Sequence, residues 1–369
     1  MRMSFGRAIV LAGLPTLLLA LVTSRASAQP DGGNPPPPKG FEADSASFVS
    51  AQAGFVLGTR HCSTMPCKAR LEKTVDGGKT WAAVPTPAVS LVPPFTGSSL
   101  SAVSTARFES ARDGWLFAPG LWATTDGGQQ WHQVSLPGEV VALAASDRVV
   151  FAATEPVNGS LNAAKLYRSE VGSTKWTLVP GVAPANALTV FGHSVWAGVA
   201  PTLSASTDGG KHWSTLSFRC PAMEPDASPV AAASTADVAL ECADQGFPQP
   251  GSSVKEVYTS SNGGRTFHLV SQPPEAGELG RLAMPPGHPQ VVTLTAASGA
   301  TYLYRSVDSG KNWHTTTFFD GGLTVRDVAY VSASTGYLIH FSGDPVIAYS
   351  RGLMKTVNAG ASWKNVKMP

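Results

Sequence analysis

The chain has 369 residues, 43% hydrophobic and 14% charged, with 27 Lys plus Arg against 25 Asp plus Glu for a formal charge of +2. A balance this close to neutral carries no electrostatic footprint for nucleic acid or an anionic membrane surface, so neither is expected as a partner.

Arg2 and Arg7 precede an apolar run from Ala8 to Val22, and Ala26-Ser27-Ala28 has the small-x-small form of a cleavage site. Residues 1–28 therefore read as a secretory signal peptide, cut near Ala28 to give a secreted, extracytoplasmic protein starting at Gln29. The run is about 15 residues, short of the roughly 20 a membrane span needs, and no comparable run follows it. Removing this segment takes three Arg and no acid, leaving 24 basic side chains against 25 acidic ones. Residues 29–40, with Gly32-Gly33 and Pro35 to Pro38, read as a linker of disordered or polyproline II character.

From residue 41 to 369 the pattern is short apolar alternations broken by Gly, Pro, Ser and Asp, as in an all-β chain. The clearest unit places strands at 106–109, 115–118, 121–125 and 131–136. Pro119-Gly120 turns the chain in the middle of this unit, and Asp126-Gly127-Gly128 turns it again. Thr74-Val75-Asp76-Gly77-Gly78-Lys79-Thr80-Trp81 is the first copy of a motif that recurs at Asp126–Trp131, Asp208–Trp213, Asn262–Phe267, Asp308–Trp313 and Asn358–Trp363. Ser169 to Trp176 is a degenerate copy with Val171 in place of the Asp. Seven copies at a mean period of about 47 residues match the blade length of a β-propeller. A second motif keeps the same phase: Ser50 to Phe55, Ser110 to Trp115 and Ser332 to Tyr337 each read as a turn leading into a strand. The expectation is a single seven-bladed propeller of four-stranded antiparallel blades, strands A to D, with the Asp motif between C and D. The apparent phase starts strand A near Ser45 and ends strand D near Met368, leaving no strand to exchange between the chain ends, so closure would rest on packing of the first blade against the seventh; a strand donated by residues 38–44 is the alternative.

The motif residues have structural reasons. An Asp carboxylate accepts bonds from backbone N–H groups of its own turn, Gly supplies positive φ, and Trp buries its ring between blades. Copies with Asn or Val at the Asp position argue against a catalytic or metal-binding carboxylate in each blade, and no cofactor or metal is expected.

In a meander the A–B and C–D turns share one face, and the B–C loops and D-to-A crossings share the other. The irregular segments all fall on that second face. They are the crossings 85–99, 219–228 and 271–277 and the B–C loops 61–67, 155–163, 243–254 and 342–352. Variable loops on a rigid scaffold are the usual place for binding. Candidate ligand residues there are His61, Glu155, Arg219, Glu224, Asp226, Asp244, Asp344, Tyr349 and Arg351. Cys62, Cys67, Cys220 and Cys242 are an even number in an exported chain. Loop-closure entropy favours the local pairings Cys62–Cys67 and Cys220–Cys242.

S/T-x-D-x-G-x-x-W resembles the Asp-box, or BNR, repeat over essentially the whole chain after the leader. That repeat is shared by sialidases, xyloglucan-type endoglucanases, sortilin-type receptors and the photosystem II stability/assembly factor family. The aromatic after Gly on strand B, followed by T-x-D-G-G-x-x-W, is most similar to the last of these. The sialidase resemblance fails in detail, because Arg60 is followed by His-Cys and Arg70 by Leu-Glu where an Arg-Ile-Pro or Arg-Leu-Pro signature is required. No catalytic residue is carried over. Seven structural repeats, long loops on one face and no assignable catalytic set point to a monomeric, non-catalytic propeller that binds a protein or glycan through that face; the alternatives are a glycoside hydrolase of sialidase or endoglucanase type using loop-face carboxylates and, by analogy with the photosystem branch, a cell-envelope assembly factor.

Overall fold

The computed structural model describes residues 40–60, 62, 66–91, 100–157, 164–182, 187–199, 202–216, 218, 220, 230–244, 251–278, 280–298, 300–319, 324–342 and 350–369. The expected leader and linker lie outside this set, apart from residue 40. Among the described residues there is no helix, hence none long and apolar enough to cross a membrane.

Seven four-stranded antiparallel sheets follow one another along the chain, each a meander of strands A-B-C-D in sequence order. The first is Phe41–Phe48, Gly54–Arg60, Arg70–Thr74 and Ala82–Val84. The second is Thr105–Phe108, Gly114–Phe117, Leu121–Thr124 and His132–Gln133. The third is Glu139–Ser146, Val149–Glu155, Lys165–Glu170 and Thr177–Leu178. The fourth is Ala187–Phe191, Ser194–Val199, Thr202–Ser206 and Ser214–Thr215. The fifth is Val230–Ala232, Val238–Asp244, Val254–Ser260 and His268–Ser271. The sixth is Leu282–Ala283, Val292–Ser298, Ala300–Ser306 and His314–Phe319. The seventh is Thr324–Tyr330, Gly336–Ser342, Ser350–Thr356 and Lys364–Val366. In the second sheet strand D is two residues, where the sequence pattern ran from 131 to 136. Trp131 packs into an apolar layer instead of extending the ladder.

The core is a set of layers between consecutive sheets. On strand B of the first sheet, Phe55 and Leu57 join the layer against the second sheet, while Val56 points into the layer against the seventh. Trp115 and Phe117 face the third sheet, and Leu116 faces back. This period-two alternation is why every sheet is apolar on both faces. Each fully buried Leu or Phe contributes roughly 1.5–3 kcal/mol. The motif aromatic of each copy, Trp in six and Phe267 in one, packs toward the preceding sheet: Trp81 Nε1 donates to Lys367 O at 3.1 Å and Trp131 Nε1 to Pro85 O at 2.9 Å.

The ring closes without strand exchange. Strand A starts at Phe41, four residues before the expected Ser45, and pairs with its own strand B. A seventh layer joins the last sheet to the first through Phe41, Ala43, Val56, Tyr337, Ile339 and Leu353. The Phe48 and Tyr337 rings stack with centroids 3.4 Å apart. Phe41 N–H donates to Pro369 O at 3.0 Å and Tyr337 Oη to Ala51 O at 3.1 Å. Arg107, on strand A of the second sheet, reaches Asp327 on strand A of the seventh at 2.9 Å.

The repeated turns share one hydrogen-bond scheme. Thr74 Oγ1 donates to Asp76 Oδ1 at 2.9 Å and accepts the Gly78 N–H at 2.9 Å, while Asp76 Oδ1 accepts the Lys79 and Thr80 N–H groups. Asn262 and Asn358 do the same with their amide oxygens, accepting Thr266 N–H and Ser362 N–H at 3.0 Å. The next residue of every copy ties back to the A–B turn of its own sheet, as in Gly77 N–H to Gln52 O and Gly209 N–H to His193 O. The degenerate copy keeps this bond through Val171 N–H to Arg148 O. Ser309 and Ala359 hold φ of 63° and 53° at a left-handed position that Gly77, Gly127, Gly209 and Gly263 fill elsewhere.

Candidate functional site

The A–B and C–D turns of all seven sheets leave the same end of the strands and are short and internally bonded. Connections of unequal length leave the other end. The B–C connections are 61–69, 118–120, 156–164, 200–201, 245–253, 299 and 343–349. Long ones thus belong to the first, third, fifth and seventh sheets, and those of the intervening sheets are short.

Two features stiffen this face among the described residues. Cys62–Cys67 and Cys220–Cys242 are disulfides with Cα separations of 5.8 and 5.5 Å. A small three-stranded sheet joins Cys67–Lys68 to Ser90–Leu91, and Ser90–Leu91 to Ala102–Val103. It sews the first B–C connection to the crossing that leads into the second sheet.

His61, Arg219, Glu224, Asp226, Asp344 and Tyr349 lie outside the described residues. Asp244 is the last residue of strand B in the fifth sheet, paired with Val254. Glu155 ends strand B of the third sheet directly opposite Glu139. Its carboxyl is raised from its ordinary value by burial first and by the Glu139 charge second. Arg351, on strand C of the seventh sheet, places Nη1 2.6 Å from both oxygens of Asp44 on strand A of the first. Its guanidinium also lies over the Phe341 ring at 5.4 Å. Glu42, beside this pair, is raised by burial, with Arg351 acting against and Asp44 with that shift. Glu155 and Arg351 therefore belong to separate clusters on different sheets. Glu139 and Glu155 extend from one ladder rung, with Cα atoms about 4.5–5.5 Å apart as antiparallel partners are. No group of three His, Cys, Asp or Glu able to hold a metal ion occurs among the described residues.

Several polar residues escape the sequence pattern. Glu42, Asp44, Glu139 and Asp327 sit on strand A, where polar residues next to an interrupted alternation were the only signal. Glu241 and Lys255 are buried in the fifth sheet with relative exposures of 0% each. A further regularity lies one residue before the motif hydroxyl. Arg168 Nε donates to Gly209 O at 2.7 Å, Arg305 Nε to Ala359 O at 2.6 Å and Lys355 Nζ to Gly77 O at 3.0 Å. Each links a strand C to the C–D turn of the following sheet. The signal was present in Arg168-Ser169, Arg305-Ser306 and Lys355-Thr356.

No protein-family model matches the chain, and no curated protein sequence does. Among solved structures it is similar to "YCF48 bound to D1 peptide", with 17% identity, a TM-score of 0.57, and coverage of 88% of this chain and 96% of that one. It is also similar to YCF48 from Cyanidioschyzon merolae, with 15% identity, a TM-score of 0.56, and coverage of 88% and 98%. The Niastella koreensis GH74 enzyme shares 12% identity at a TM-score of 0.31, covering 88% of this chain and 78% of its own. The first two show the fold: a β-propeller.

Proposed function

We propose that the chain is a secreted, monomeric seven-bladed Asp-box propeller, spanning residues 41–369, that binds a segment of another protein without catalysis. Binding uses the face that carries the B–C and D–A connections. The observation that carries this reading is the asymmetry of the two faces. One face is consumed by seven turns whose polar groups bond one another. The other presents connections of unequal length, stiffened by two disulfides. A neighbour of the same fold bound to a peptide supports a protein partner over a glycan.

The test is an array of synthetic peptides and glycans probed with the chain from Gln29 onward. Peptide signals are expected to be lost in Glu139→Lys/Glu155→Lys and retained in Lys79→Glu/Lys211→Glu, which alters the turn face. Loss only in the turn-face variant overturns the reading. Fluorogenic sialosides and β-glucans test the glycoside hydrolase alternative: turnover abolished by Glu224→Ala or Asp344→Ala establishes it. Stable co-purification with a cell-envelope complex instead favours an assembly factor.

A further inference from the structure

The layer between the fifth and sixth sheets encloses an ammonium and a carboxyl. Lys255 is the second residue of strand C of the fifth sheet, and its Nζ donates to Ser253 O at 2.9 Å, Glu275 O at 2.8 Å and Gly277 O at 2.7 Å. All three ammonium donors are thereby used on backbone carbonyls. Two of those carbonyls belong to the crossing from the fifth sheet to the sixth, on the loop face. The same crossing is held by Tyr304 Oη donating to Ala276 O at 2.9 Å and by Gly277 N–H donating to Gly251 O at 3.0 Å.

Glu241, on the adjoining strand B, is fully buried, and neither carboxylate oxygen has a hydrogen-bond partner. With the Lys255 donors taken, the carboxyl acts on the ammonium through charge and not through a bond. Glu275 and Glu278 on the crossing also act on Lys255 through their charge. Tyr304 is the phenol facing the cluster from the sixth sheet, with Tyr302 stacked on it at 5.8 Å. Glu256, next to Lys255 in the chain, turns to the opposite face and accepts from Tyr258 Oη at 2.8 Å.

We propose that Lys255 serves as a built-in cation that fixes the fifth-to-sixth crossing, and that loss of its proton releases part of the loop face. A neutral amine has two N–H donors, so one of the three carbonyls loses its bond when the proton leaves. Burial lowers Lys255 and outweighs the Glu241, Glu275 and Glu278 charges, which raise it, and this brings the transition down toward neutral pH. The inference stands independently of what the loop face binds.

The test is amide hydrogen exchange of the whole chain from Gln29, followed by mass spectrometry between pH 6.5 and 9.5 and corrected for the intrinsic rate. Protection at Gly277 and Glu278 is expected to fall about tenfold through the transition, the equivalent of one charged hydrogen bond. The Gly263 amide in the neighbouring C–D turn should hold constant. Lys255→Arg keeps its charge throughout and should abolish the transition. Glu241→Gln removes the negative partner and should move the transition to lower pH. Constant protection of the crossing in the wild type overturns the proposal, and so does an unshifted transition in Glu241→Gln. Should Lys255→Arg fail to fold, the wild-type profile and Glu241→Gln decide alone.

Discussion

Thr124→Val isolates the worth of the motif hydroxyl. Thr124 is 1% exposed, so its Oγ1 has no water to fall back on. It accepts the buried Gly128 N–H at 2.9 Å and donates to Asp126 Oδ1 at 2.9 Å. Valine has nearly the same shape and keeps the β-branch that suits a strand, so packing changes little. What remains is an unpaired buried N–H, which costs about 1–3 kcal/mol. The degenerate copy supplies an internal control. Ser169 Oγ only donates, to Lys175 O at 2.7 Å and Glu170 O at 3.2 Å, and holds no turn N–H. Ser169→Ala should cost about 0.5–1.5 kcal/mol, the net worth of an ordinary hydrogen bond. Urea unfolding followed by tryptophan fluorescence measures both. Equal costs for the two variants, or no measurable cost for Thr124→Val, would refute the view that this hydroxyl organises the turn.

Two further outcomes follow from the same geometry. Hydrogen bonds from the i+4 residue hold the Asp76, Asp126, Asp208 and Asp308 carboxyls below the ordinary range, through Thr80, Gln130, His212 and Asn312 respectively. Their folded values lie below the unfolded ones, so they stabilise the fold above the ordinary carboxylate range and that contribution is lost as pH falls. Replacing all four by Asn, as occurs naturally at Asn262 and Asn358, should shift acid unfolding measured by circular dichroism to lower pH; an unchanged acid midpoint counts against it. Removing Cys220–Cys242 with a Cys220→Ala/Cys242→Ala pair opens a loop of 22 residues, worth about 3 kcal/mol by chain entropy. The unfolding midpoint should drop accordingly, and an unchanged midpoint refutes a stabilising role.

Period and phase were legible in the chain because each repeat solves its own local problem. Asp76 bonds the backbone of its own turn, and Gly77 and Gly78 turn it at φ of 76° and 89°. Such interactions span four residues and print themselves on the sequence. Strand boundaries were less legible. His132–Gln133 is short because Trp131 is used between sheets, and an apolar run does not say whether its residues pair or pack. The candidate site was read least well. Of the loop-face residues singled out, Glu155 and Arg351 have described side chains, and each belongs to a separate cluster whose partners come from other strands.

The sequence by itself determined an all-β repeat and the identity of its turns, since these depend on neighbours along the chain, and among three possible cysteine pairings it favoured the local one. The tertiary structure decided how the first and last sheets meet. It also decided which charges are buried and which connections a lysine holds. Asp44 meets Arg351 across a separation of 307 residues, and Lys355 reaches the Gly77 turn across 278. Partners so distant are chosen by closure of the ring, and no local pattern records them.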